Sequence, residues 1–171
     1  DLTKEFVYCL GRALARVLGS DHLYLIARDT RESGYILEGA VCTGLHRERA
    51  LSLTCGVLPT PGLALLAQER EAVGVMISAS HNSAPDNGIK FFARGGQKLA
   101  DATEDKIAEA MGQVLTPIGS EVGRVTRFSD AEDRYIVHLL GTLPNRLDGL
   151  KIVLDCAHGA ASAISPQIFS D

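Results

Sequence analysis

The chain has 171 residues, 46% of them hydrophobic, enough for one sizeable core with part of a second domain. A net charge of −4, with no basic cluster interleaved with aromatics, excludes the electrostatic footprint of a nucleic-acid binder. No apolar run reaches the ~18 residues of a membrane span, and the opening Asp1-Leu2-Thr3-Lys4-Glu5 lacks a signal-peptide pattern, so a cytoplasmic protein without membrane partners is expected.

Phe6, Val7, Leu10, Leu14, Val17 and Leu18 recur at helical spacing, and Gly19 ends that predicted helix. The next run, Leu23-Tyr24-Leu25-Ile26-Ala27, is short and continuously apolar, as suits a strand covered on both faces. A polar loop over 28–34 leads to a predicted helix over 36–45. The pattern then repeats as a strand over 51–55, a loop over 56–61, a helix over 63–68 and a strand over 73–77. Strands alternating with helices predict βαβ units and a mainly parallel α/β sheet sandwiched by helices. Residues 89–92, followed by the turn Arg94-Gly95-Gly96-Gln97, predict an antiparallel return strand. A helix over 102–111 follows, with Asp101 as its N-cap. The Gly, Pro and Thr-rich segment 112–127 predicts a loop or short strand, and 130–140 a linking helix. Leu150-Lys151-Ile152-Val153-Leu154-Asp155 predicts a new strand, and Cys156-Ala157-His158-Gly159-Ala160 the opening of another helix, as in the first βα unit of a second domain. The expected division is therefore 1–128 and 129–171.

Cys9, Cys42, Cys55 and Cys156 are scattered among apolar neighbours without metal-ligand spacing, which predicts buried free thiols in a reducing compartment. The chain contains no H-E-x-x-H, G-x-x-x-x-G-K-S/T or G-x-S-x-G motif, so the usual zinc protease, P-loop and serine hydrolase signatures are absent from it.

In open α/β sheets, ligands gather beyond the carboxyl ends of the strands. Three loops fall at such ends: 28–34, 56–61 and 78–88. The third carries the most chemistry. Ser80 can act as a nucleophile or a phosphate carrier, and His81, Asn82 and Asn87 can hydrogen-bond a ligand. Lys90 can stabilise anionic oxygens or move a proton. Arg28 and Arg31 add positive charge suited to phosphate. Each also has a plain structural reading. Ser78 and Ser80 could serve a turn with locally bonded hydroxyls, Lys90 could be a solvent-facing strand residue, Arg28 to Arg31 could form a self-paired surface loop, and His158 could be structural.

The stretch Ile77-Ser78-Ala79-Ser80-His81-Asn82, with Asp86-Asn87-Gly88-Ile89-Lys90-Phe91-Phe92, resembles the active-serine loop of the α-D-phosphohexomutase superfamily, and its phosphoglucosamine mutase branch in particular. Arg28-Asp29-Thr30-Arg31-Glu32-Ser33-Gly34-Tyr35, Gly56-Val57-Leu58-Pro59-Thr60-Pro61 and the segment 149–160 match that branch in the same order. The resemblance implies a phosphoserine at Ser80 and interconversion of glucosamine 6-phosphate and glucosamine 1-phosphate through a bisphosphorylated sugar. It implies His81 and Lys90 as further catalytic residues, Arg31 and Asn82 as residues that bind substrate phosphate, and Arg31 as a support of the loop. It also implies Mg²⁺ held through the Ser80 phosphate with carboxylates that this chain does not contain. The partners implied are a phosphosugar and the rest of the polypeptide, domains II to IV, so that these residues alone would be inactive. The proline of the loop, Pro85, stands two positions later than is usual in the family, and the family's T-D-G-I-R-G and D-G-D-G-D-R motifs do not occur. A phosphomannomutase or phosphoglucomutase of the same superfamily, or a non-catalytic sugar-phosphate-binding module, fits the same residues.

Overall fold

The computed structural model describes residues 2–113 and 122–170. In chain order the elements are α1 (Lys4–Leu18), β1 (Leu23–Arg28), α2 (Gly34–Arg47), β2 (Leu51–Val57), α3 (Thr60–Glu69), β3 (Val73–Ile77), β4 (Ile89–Phe92), α4 (Asp101–Met111), β5 (Arg124–Arg127), α5 (Ala131–Gly141) and α6 (Ile164–Ser170). The five strands form one sheet in the order β4-β3-β1-β2-β5. Only the β3–β4 pair is antiparallel, with Val75 opposite Phe91 and Met76 opposite Lys90.

Burial on both faces explains why the inner strands read as unbroken apolar runs. Tyr24 and Ile26 of β1, with Val75 and Ile77 of β3, join Val7, Leu14, Val41 and Leu45 in a core beneath α1, α2 and α4. Leu25, Ala27 and Met76 point the other way, into a second core with Leu58, Leu63, Leu66, Tyr135 and Ile164. Two glycines set how closely α1 and α2 cross. A Cβ on Gly11 would lie 2.4 Å from the Val41 carbonyl oxygen, and one on Gly44 would lie 2.2 Å from that of Tyr8. At the end of α2, the fully buried Glu48 carboxylate accepts from Arg12 Nε at 2.6 Å and from Arg16 Nε at 2.9 Å, tying the same two helices together.

Three expectations are corrected. Asp101 does not cap α4. Ala100 holds the cap position, while the Asp101 carboxylate accepts from Lys98 Nζ at 2.7 Å. Residues 150–155 form no strand, and Val153 is 96% exposed, because no strand among the described residues offers them a ladder. The helix expected near residue 160 starts only at Ile164, after a series of turns. The segment 112–127 contributes β5, parallel to β2, while residues 114–121 lie outside those described. Among the described residues no helix is long and apolar enough to cross a membrane. All four cysteines carry free thiols, but only Cys42 is buried as expected, and Cys9, Cys55 and Cys156 are half-buried.

Candidate active site

The parallel strands β1, β2 and β3 end on one edge of the sheet, and the loops that follow β1 and β3 meet there. Ile77 ends β3, and its carbonyl accepts from Asp29 N at 3.0 Å, so the two loops are joined where they begin. The serine loop closes at its base through Ser78 N donating to the Gly88 carbonyl at 2.8 Å. A Cβ on Gly88 would lie 2.7 Å from that same region, at the Ser78 carbonyl oxygen, so only glycine fits.

Ser80 stands at the tip of a tight turn with φ of 58°, a left-handed conformation that ordinary side chains avoid at a cost of about 1–2 kcal/mol. The turn is held from beneath by the buried Ser78, whose Oγ accepts from Ser80 N at 3.0 Å. Ser80 itself is exposed, as are His81 and Asn82. The result is an exposed serine on a backbone fixed from inside.

Arg31 supplies most of the lateral support. Its Nε donates to Asp29 Oδ2 at 3.0 Å, one terminal nitrogen donates to the carbonyls of Ser80 (3.0 Å) and Asn82 (2.9 Å), and the other to those of Ser83 and Asp86 (3.1 Å). Asp29 also accepts from the Arg31 backbone N–H at 3.1 Å. Ser33 adds a further tether, its Oγ donating to Asn87 Oδ1 at 2.6 Å. That bond draws the Ser33 hydroxyl away from capping α2, which begins without a side-chain cap. Arg28 is also committed, turned toward α2 with its Nε 2.8 Å from Glu38 Oε2 and its guanidinium over the Tyr35 ring. Burial raises the Glu38 carboxyl above its ordinary range, and the neighbouring Arg28 charge works against that rise. Neither arginine expected to meet phosphate therefore points its charge at open solvent beside Ser80.

Facing the serine loop across a cleft of about 1040 Å³ is the turn 156–161. Ser80, His81, Asn82 and Arg31 line one wall, Cys156, His158 and Gly159 the other, and Met76 lies on the floor. Ala157 and His158 both have left-handed backbones, with φ of 47° and 53°. Asp155 Oδ1 stabilises their turn by accepting from Ala157 N at 2.9 Å. Thr30 reaches across and donates from Oγ1 to the His158 carbonyl at 2.7 Å. Lys90 does not line the cleft. It is exposed on β4, and its pairing with Met76 places it on the sheet face that Met76 shares with the floor.

The structure thus brings Ser80, His81, Asn82 and Arg31 together, and leaves Lys90 one strand to the side. The locally bonded turn hydroxyl expected at Ser78 is present, while sequence reasoning missed the Ser33–Asn87 bond and the Thr30–His158 bond. The last joins residues 128 apart. The Asp155-Cys156-Ala157 spacing, an aspartate two residues before an amide it can accept from, was the one local signal for a turn instead of a helix start. Among the described residues no group of three or more His, Cys, Asp or Glu could hold a metal ion. The Asp29 carboxylate, which lines the cleft, is engaged by Arg31.

Residues 1–116 match the family described as phosphoglucomutase/phosphomannomutase, alpha/beta/alpha domain I. Similar proteins include the phosphoglucosamine mutase of Paenarthrobacter aurescens (strain TC1), 57% identical, with 99% of this chain and 39% of that protein aligned. The phosphoglucosamine mutase of Clavibacter michiganensis subsp. michiganensis is 55% identical over 99% of this chain and 38% of its own length. This chain therefore spans well under half the length of the curated relatives it matches. Among solved structures, a phosphoglucomutase/phosphomannomutase family protein from Burkholderia thailandensis superposes with a TM-score of 0.78 at 24% identity, over 99% of this chain and 38% of that one. Paramecium parafusin in its open form gives 0.73 at 16% identity, over 95% and 37%. At those identities the likeness establishes the fold.

Proposed function

This chain belongs to the phosphoglucomutase/phosphomannomutase family, and from that premise we propose that it is the nucleophile-bearing part of a phosphoglucosamine mutase. The observation that carries the reading is Ser80, exposed on a left-handed turn in a cleft and supported from behind by Ser78 and Arg31. The names borne by relatives more than half identical to this chain favour glucosamine over mannose or glucose as the sugar.

In this reading Ser80 carries a phosphoryl group. The C1 hydroxyl of glucosamine 6-phosphate attacks the phosphorus, the bond to Ser80 Oγ breaks, and glucosamine 1,6-bisphosphate forms beside a free serine. The sugar turns over, Ser80 Oγ attacks the 6-phosphate, and the leaving sugar oxygen takes up the proton that Ser80 gives away. Glucosamine 1-phosphate leaves and phosphoserine is restored. A serine ester suits the cycle because it resists water until an acceptor hydroxyl is held in line and charge on the phosphoryl group is neutralised. His81 and Asn82, both exposed on the cleft wall, are placed to hydrogen-bond the substrate. Lys90, offset on β4, takes the proton or charge role once a sugar fills the cleft. Mg²⁺ supplies Lewis-acid neutralisation in such enzymes. The Ser80 phosphate would be one of its ligands, and because the described residues hold no group of three or more His, Cys, Asp or Glu, further carboxylates would be needed to complete its shell.

Residues 1–128 are the serine-bearing domain in this reading and 129–171 the start of the next. A reducing, cytoplasmic setting accords with the four free cysteines. The test is turnover by the intact polypeptide of glucosamine 6-phosphate against mannose and glucose 6-phosphates with Mg²⁺. A preference for glucosamine 6-phosphate is expected. A preference for either neutral sugar would reject the substrate, and no turnover of any of the three would reject the mutase.

A further inference from the structure

We propose that Arg31 is a positioning residue for Ser80 and not a ligand of substrate phosphate; the inference deepens the mutase reading above. A guanidinium has five N–H donors and no acceptor. In Arg31 each of the five is engaged, one by the Asp29 carboxylate and four by carbonyls of the serine loop. The side chain is 10% exposed, and its charge is balanced by Asp29 at 3.0 Å. No donor remains for a phosphate oxygen without breaking a bond that shapes the loop.

The engaged carbonyls belong to Ser80, Asn82, Ser83 and Asp86, so one rigid fork fixes both legs of the loop at once. There is a second consequence. Among the described residues no peptide bond is cis, and in a trans peptide the N–H points opposite to the C=O. Drawing those four carbonyls onto Arg31 turns the N–H groups of His81, Ser83, Ala84 and Asn87 away from it. His81 and Ala84 line the cleft. Arg31 thereby leaves anion recognition on this wall to backbone amides, which suit phosphate oxygens.

Lysine at this position keeps the charge and loses the fork. In the intact polypeptide, Arg31→Lys is expected to lower kcat on the order of 100-fold, the scale of an ångström-level misplacement of a reacting group, with KM for glucosamine 6-phosphate changed less than about threefold. A rise in KM of tenfold or more at unchanged kcat would overturn the proposal. A second measurement needs neither a variant nor turnover. In the wild-type polypeptide titrated with inorganic phosphate, NMR signals of the His81 and Ala84 amides are expected to shift while those of the Arg31 guanidinium stay in place. Guanidinium signals that move while those amides stay fixed would contradict the proposal. Failure of the mutase reading would appear instead as absent turnover in the wild type, with the phosphate titration unaffected.

Discussion

The two walls of the cleft are supported very unequally. The serine loop is closed at its base by the Ser78–Gly88 bond, propped from within by the Ser78 hydroxyl, and gripped from the side by Arg31 and Ser33. Among the described residues the opposing turn is tied across the cleft by the Thr30–His158 hydrogen bond, and the helix after it is anchored by Ile164 in the second core. In the proposed reaction the dense support falls where a bond would be made and broken, and an error of about an ångström there would be costly. The other wall, which would only enclose the ligand, carries little of it.

The contrast can be broken most forcefully at Gly88. Gly88→Ala brings a Cβ to 2.7 Å from the Ser78 carbonyl, and backbone on backbone cannot yield as a side chain can. A loss of about 1–3 kcal/mol of stability is expected in denaturant titration, with the loop bond opened and turnover falling far more than stability. Stability unchanged would mean that the base of the loop is not the tight closure described.

Thr30→Val attacks the sparse wall instead. It removes one hydroxyl bond, worth about 0.5–1.5 kcal/mol, and is expected to lower kcat/KM for glucosamine 6-phosphate by no more than about tenfold. Hydrogen exchange of residues 78–88 is expected to stay as in wild type, since their support is separate. Faster exchange there would show that the walls are coupled.

The smallest effect concerns the thiols. Cys156 lines the cleft and is half-buried, so a saturating phosphosugar is expected to slow its alkylation while leaving that of Cys9, outside the cleft lining, unchanged. Burial first, and the Glu38 charge second, push Cys42 and Cys55 up to about 12. Both thiols therefore stay protonated near neutral pH and are expected to label only on unfolding. A raised native pKa favours folding below the ordinary thiol value, and that contribution is lost as pH climbs toward 12. Alkylation of Cys42 in the native protein at neutral pH would contradict the packing.

Much of the first wall was legible in the sequence. Continuous apolar runs marked β1 and β3, the polar loop after β3 announced its chemistry, and the short run 89–92 with its glycine turn announced the antiparallel return. The long-range partners were not legible, because the Arg31–carbonyl, Ser33–Asn87 and Thr30–His158 bonds join loops far apart in the chain. The sequence shows Arg31 only as a charge suited to phosphate and gives no sign of its four carbonyl partners in the serine loop, and nothing about a serine announces a left-handed backbone at Ser80. The second wall was misread more deeply. Residues 150–155 have a strand's composition, yet a strand exists only as one side of a ladder, and among the described residues none stands beside them.

The most direct measurement asks whether Ser80 carries the phosphoryl group. The intact polypeptide would be incubated with glucosamine 1,6-bisphosphate, digested, and its phosphopeptides sequenced by mass spectrometry before and after a chase with glucosamine 6-phosphate. The expected result is phosphate on Ser80 that the chase removes, and none on the Ser80→Ala variant, which turns over no substrate. Phosphate on another residue, or turnover that survives Ser80→Ala, would contradict the role given to the exposed serine.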